Sequence, residues 1–82
     1  MKVTVRYFAA ARAAAGLEDE IIGLAPGTTV SALVDHLGER GGGLAKVLSR
    51  CSFLCDGIAV RDLEMTLCDA QTVDVLPPFA GG

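Results

Sequence analysis

Apolar and polar residues alternate at both ends of this sequence. Near the start, Val3, Val5 and Tyr7 interleave with Lys2, Thr4, Arg6 and Phe8; near the end, Val73 and Val75 interleave with Thr72, Asp74 and Leu76. A period of two sends one set to each face of a strand. A strand must pair, because its N–H and C=O groups are costly to bury unbonded. With the clearest helix of the sequence lying between them, the first and last strands are the natural central neighbours of one sheet. The helix is then expected to pack across one face.

That helix can be capped by Thr28 or Thr29, and Val30, Leu33, Val34 and Leu37 fall at i, i+3, i+4 and i+7. Gly41-Gly42-Gly43 is expected to end it. Before it, Ala9 to Ala15 reads as a short helical turn stopped at Gly16. Glu18 to Leu24 reads as a second strand closed by the turn Ala25-Pro26-Gly27. After it, Leu44, Val47 and Leu48 mark a smaller amphipathic turn. Cys51 to Cys55 then runs into Asp56-Gly57, a strong two-residue hairpin signal, and Ile58 to Val60 returns. Leu63 to Cys68 is apolar-rich and fits no single element. The expected class is α+β: a mixed sheet of four to five strands with one main helix on one face, spanning residues 1–76.

Eighty-two residues, 51% hydrophobic and 21% charged, are enough for one small folded domain. A formal charge of −3 leaves no electrostatic footprint for nucleic acid or an anionic membrane, and neither is expected as a partner. No apolar run approaches the roughly 18 residues of a membrane span. The sequence opens directly on the alternating strand, without the apolar stretch of a signal peptide, so the cytoplasm is the expected location. Three cysteines, Cys51, Cys55 and Cys68, fit a reducing compartment better than a disulfide framework. They are expected to pack as small hydrophobes.

Several chemistries have no residues to run them. Gly-Lys-Ser/Thr is absent, and Lys46 stands where Gly41 and Gly43 would need a third glycine for a dinucleotide fingerprint. His36 is the single histidine, with no nucleophile placed to use it. Glu18, Asp19 and Glu20 are expected to form a solvated strand edge. No metal or cofactor is expected on the chain, and no active site of its own.

What remains is the ending, Pro77-Pro78-Phe79-Ala80-Gly81-Gly82. Two prolines lack N–H donors and hold φ near −65°, so they stop a central strand and favour an extended path. The four residues beyond can reach about 13 Å at 3.3–3.6 Å each. Gly81 and Gly82 have no Cβ and can thread a narrow slot. Residues 77–82 therefore read as a tail built for insertion into another protein. Phe8 and Leu76 occupy the otherwise polar faces of their strands; in parallel neighbours they would emerge together at the tail's root. Leu54 and Ala59 on the hairpin would extend that patch.

The stretch Lys2-Val-Thr-Val-Arg-Tyr-Phe-Ala9, then Arg12 and Gly16, then Pro26-Gly-Thr-Thr-Val30, and finally Leu76-Pro-Pro-Phe-Ala-Gly-Gly82, resembles the small subunits of molybdopterin synthase. Those are ubiquitin-like β-grasp sulfur carriers, related to the carriers of the thiamine pathway. The resemblance covers essentially the whole chain, and the Pro-Pro-x-x-Gly-Gly ending is its specific part. It implies that a ubiquitin-activating-like enzyme uses ATP to adenylate the Gly82 carboxylate, and that a persulfide donor converts it to a thiocarboxylate. It implies further that the tail enters the large synthase subunit and gives its sulfur to cyclic pyranopterin monophosphate. By position, Gly82 would bear the sulfur, Phe79, Ala80 and Gly81 would thread, and Phe8, Ala59, Leu76, Pro77 and Pro78 would meet the partner. Two other readings share these residues: a sulfur carrier for thiamine thiazole or cysteine synthesis, and a ubiquitin-like protein modifier. Family members often carry Gly-Asp-Glu-Val before the last strand, where this chain has Ala70-Gln71-Thr72-Val73.

Leu33→Asp is expected to abolish cooperative folding, because a domain this small cannot absorb an unpaired charge at its helix–sheet contact. A thermal melt checks it.

Overall fold

The computed structural model describes residues 1–41 and 43–78. Among them the chain runs β1 (Lys2–Tyr7), α1 (Ala9–Ala15), β2 (Asp19–Gly23), α2 (Val30–Gly38), α3 (Leu44–Leu48), β3 (Ser52–Cys55), β4 (Ile58–Ala59) and β5 (Thr72–Leu76). The strands form one sheet in the order β2-β1-β5-β3-β4. The two terminal strands are the parallel pair at its centre, in register Thr4↔Thr72, Arg6↔Asp74 and Tyr7↔Val75. The other pairings are antiparallel. This is the mixed sheet of the β-grasp expectation, with five strands.

Alternation now has a physical meaning. Val3, Val5 and Tyr7 of β1, Val73 and Val75 of β5, and Phe53 and Cys55 of β3 are all buried. They form one core with Val30, Leu33 and Leu37 of α2, Leu44 and Leu48 of α3, and Ala11 of α1. Burying each larger side chain contributes on the order of 1.5–3 kcal/mol. All three helices among the described residues feed this face, and none of them covers the opposite face of the sheet. Asp56 (φ 49°) and Gly57 (φ 82°) turn the β3–β4 hairpin as the dipeptide predicts.

Helix α2 is capped by Thr29, whose Oγ1 accepts from the Ala32 N–H at 3.1 Å. Its α-helical run ends at Gly38, and i−3 bonds from the Glu39, Arg40 and Gly41 N–H groups carry the turn on to Gly41, whose φ of 77° stops it at the glycine run as expected. A Cβ on Gly38 would come within 3.2 Å of the Ala45 Cβ, so the glycine lets α3 approach closely. The unassigned stretch at 63–68 also acquires a role. The Met65 and Leu63 carbonyls accept from the Val30 and Ser31 N–H groups at 3.1 and 2.8 Å. These donors lie in the first turn of α2 and have no partner inside the helix. Leu67, in the same stretch, is buried in the core.

Two expectations need correction, and one departure from the family pattern gains a backbone meaning. The cysteines do not all pack inside: Cys55 is buried, Cys51 half-buried and Cys68 exposed, all with free thiols. Cys68 lies in the turn into β5, where its N–H is taken by the Gln71 side chain. Burial pushes the Cys51 and Cys55 thiols up. Ala70 adopts φ 68°, a left-handed conformation that favours glycine, the residue that the resemblance leads one to expect at this point. Most instructive is Glu20, which is no solvated edge. Its carboxylate accepts the Tyr7 hydroxyl proton at 2.7 Å and a forked pair from Arg40. The Arg40 hydrogen bonds hold Glu20 below the usual carboxylate range. Burial, then the bond to Glu20, pushes the Tyr7 phenol up.

A carboxylate depressed on folding stabilises fully above its unfolded pKa, about 4.3 for Glu, and loses that contribution as pH falls through the lower folded value. Arg40→Ala is expected to cost on the order of 1 kcal/mol at neutral pH. The gap from wild type should close as acid melts proceed below about pH 4.

Candidate functional site: the helix-free face and the root of the tail

Because β1 and β5 are parallel, their C-terminal ends leave the same edge of the sheet. The Phe8 N–H donates to the Val75 carbonyl at 3.2 Å, one step beyond the Tyr7↔Val75 pair. Phe8 therefore stands beside Leu76, and on Leu76's other flank the antiparallel β3 places Ser52. Alternation turns Tyr7 and Val75 into the core, so Phe8 and Leu76 lie on the helix-free face; both are half-buried. The ladder stops there because Pro77 and Pro78 have no N–H to offer. Pro77 is half-buried and Pro78 exposed. Phe79, Ala80, Gly81 and Gly82, named above as threading and sulfur-bearing residues, lie outside the described residues.

Leu54 sits on the same face, in register with Asp74 on one side and Ala59 on the other. Ala59 is exposed and belongs to β4, so β3 separates it from the tail strand. The structure thus gathers Phe8, Leu76 and Pro77 at one point and places Leu54 and Ala59 along the same surface. Phe8 and Leu76 are not freely solvated, as their polar neighbours on the strands would imply: each is partly covered by the sheet around it.

Sequence reading passed over a pair at the centre of this face. Asp74 is only 5% exposed although no helix covers it. Arg6, its register partner, donates from Nε at 2.6 Å and from Nη2 at 2.8 Å, a bidentate grip. The hydrogen bonds to Asp74, then its charge, raise the Arg6 guanidinium further. The guanidinium also lies 5.7 Å from the centroid of the Phe8 ring, within cation–π range. A signal was present in the sequence: Arg6 precedes Phe8 by two residues and Asp74 precedes Leu76 by two. Strands expected to be parallel neighbours would bring those opposite charges together.

Among the described residues no cluster of three His, Cys, Asp or Glu side chains could hold a metal. Nor is any helix among them long and apolar enough to cross a membrane. His36 is exposed on α2. The face offers apolar Phe8, Leu76 and Leu54 around the Arg6–Asp74 pair, at the end of the strand that leads into Pro77-Pro78.

A five-stranded mixed sheet grasping its helices, with a proline-based tail leaving its central strand, defines a ubiquitin-like protein of the sulfur-carrier and modifier kind. The chain belongs to the ThiS family, whose model matches residues 5–82. No curated protein matches it significantly. Among solved structures, it is similar to a protein of Pyrococcus furiosus described as molybdopterin converting factor, subunit 1. That likeness has 28% identity and a TM-score of 0.86, over 96% of this chain and 99% of the other. Small archaeal modifier protein 1 of Methanosarcina acetivorans is similar at 26% identity and TM-score 0.83, over 99% and 96%. The complex of subunits 1 and 2 of the molybdopterin-converting factor of Helicobacter pylori shares the fold, at 24% identity and TM-score 0.73 over the full length of both chains.

Replacing Phe8 and Leu76 together by Asp is expected to leave the protein folded, at a cost of about 1–3 kcal/mol, since neither is a fully buried core residue. A urea titration beside that of a core variant such as Leu37→Ala, expected to cost about 2–5 kcal/mol, measures the difference.

Proposed function

We propose that this chain is the sulfur-carrying small subunit of molybdopterin synthase. The observation that carries the reading is the pairing of Phe8 with Leu76 at the base of Pro77-Pro78. It sets an apolar patch on the one open face of the sheet, directly where the tail departs. A partner seated on that patch is in position to receive the tail. The Pyrococcus likeness supports this pathway, and the Helicobacter pylori subunit 1, which shares the fold, was solved together with subunit 2.

The chemistry follows from the acyl terminus. A carboxylate is a poor electrophile, so attack at Gly82 first requires its conversion, with ATP, to an acyl-adenylate and pyrophosphate. A ubiquitin-activating-like enzyme supplies that step. The terminal sulfur of a persulfide then attacks the acyl carbon and AMP leaves. A thiol cleaves the resulting acyl disulfide, freeing the Gly82 thiocarboxylate. Within the large subunit the thiocarboxylate sulfur is delivered to cyclic pyranopterin monophosphate, and the Gly82 carboxylate is regenerated for another round. This chain contributes reach, a narrow tail and a docking face; the partners contribute the nucleophiles and bases. The setting for this chemistry is the cytoplasm.

A second reading has its own support in the likeness to the small archaeal modifier protein. In it the activated Gly82 joins a lysine of a target through an isopeptide bond.

Intact-mass measurement of the protein isolated from cells with an active pathway is expected to show a fraction with sulfur in place of one oxygen. Deleting Gly82, or adding one residue after it, is expected to abolish sulfur transfer while leaving the melting temperature unchanged. Isopeptide-linked adducts without any thiocarboxylate would decide for the modifier.

A further inference from the structure

Docking alone does not explain the ion pair at the centre of the face. A guanidinium carries five N–H donors. Asp74 takes one from Nε and one from Nη2, and Arg6 makes no other side-chain hydrogen bond among the described residues. Three donors are thus left over. Half of the Arg6 side chain, 51%, remains exposed, whereas that of Asp74 is sealed at 7%. A partner that covers Phe8 must also cover Arg6, which lies two residues away on the same strand face and against the same ring. Donors buried without an acceptor are costly. The fitting partner therefore supplies an oxygen.

Charge narrows the kind of oxygen. Arg6 is the register partner of two acidic residues, Asp74 on β5 and Asp19 on β2, both on the helix-free face. A carboxylate brought to Arg6 would meet both as like charges. An uncharged carbonyl oxygen would not.

We propose that Arg6, fixed by Asp74, is a specificity residue: it selects a protein partner that presents an uncharged carbonyl oxygen inside an apolar rim. A partner with an unbroken apolar surface is rejected, because it would strand the three donors. The proposal rests on the docking reading above and adds to it the chemistry of the opposing surface.

The test uses the full chain and, as probe, the large synthase subunit from the same organism, with association and dissociation followed separately. In Arg6→Leu with Asp74→Leu, both charges go together, so no buried ion is left unpaired, Asp19 being exposed to water, and the face becomes more apolar. Dissociation is expected to be at least about 10-fold faster, with association unchanged. The melting temperature should not fall, and the ratio to wild type should hold as salt is raised. Equal or tighter binding by the double variant would reduce the pair to a structural one and overturn the proposal. A ratio that collapses at high salt would mean a carboxylate acceptor and overturn its second half. If the double variant does not fold, Arg6→Lys carries the test. It keeps a cation beside Asp74 but loses the planar fork, and unchanged dissociation there overturns the proposal. Failure of wild type itself to bind the large subunit is a separate result: it removes the docking reading, and this inference with it.

Discussion

The parallel pairing of β1 with β5 is the constraint on which the rest depends. It joins residues 68 apart in sequence, as the Arg6–Asp74 bonds show. Closing such a loop is entropically costly, and only buried apolar area can offset it. Val3, Val5 and Tyr7 on one strand and Val73 and Val75 on the other supply that area against the helices. Once these strands are side by side, the edge at which β5 ends and the placing of Phe8 beside Leu76 follow from parallel register. An antiparallel arrangement would carry Phe8 to the far end of the sheet.

The two faces of the sheet answer different demands. One is closed by three helices and by the loop that satisfies the first turn of α2. Among the described residues the other has no helical cover, and it still contains a nearly inaccessible carboxylate, Asp74. Asp74 can stay ionised there because Arg6 matches its two oxygens with two donors. The result is a surface neither wholly apolar nor wholly hydrated. Its apolar members, Phe8, Leu76 and Leu54, surround a neutralised pair. A surface of this kind fits the reversible docking proposed above.

Much of this was legible in the sequence. Period-two alternation marked β1 and β5, the spacing of Val30, Leu33 and Leu37 marked α2, and Asp56-Gly57 marked the hairpin. In each case the local pattern and the tertiary demand coincide. Legibility failed where a residue's role is set by something distant in sequence. Glu20 looks like an edge charge until Tyr7 and Arg40 close on it. Gly38 looks like an ordinary helix residue until α3 lies against it. The loop at 63–68 has no periodicity because its task is to accept two N–H groups of α2, which requires carbonyls rather than side chains.

Residue order alone determined that the chain forms strands at both ends with an amphipathic helix between them. It also determined that the last strand must stop at Leu76, since proline cannot pair whatever surrounds it. Tertiary structure decided which strand lies beside which, that Phe8 meets Leu76, and that Asp74 loses its water to Arg6. The physical reason is range. Periodicity, capping and ring closure act within a few residues of backbone, whereas burial and charge pairing depend on neighbours that exist only after the chain has closed.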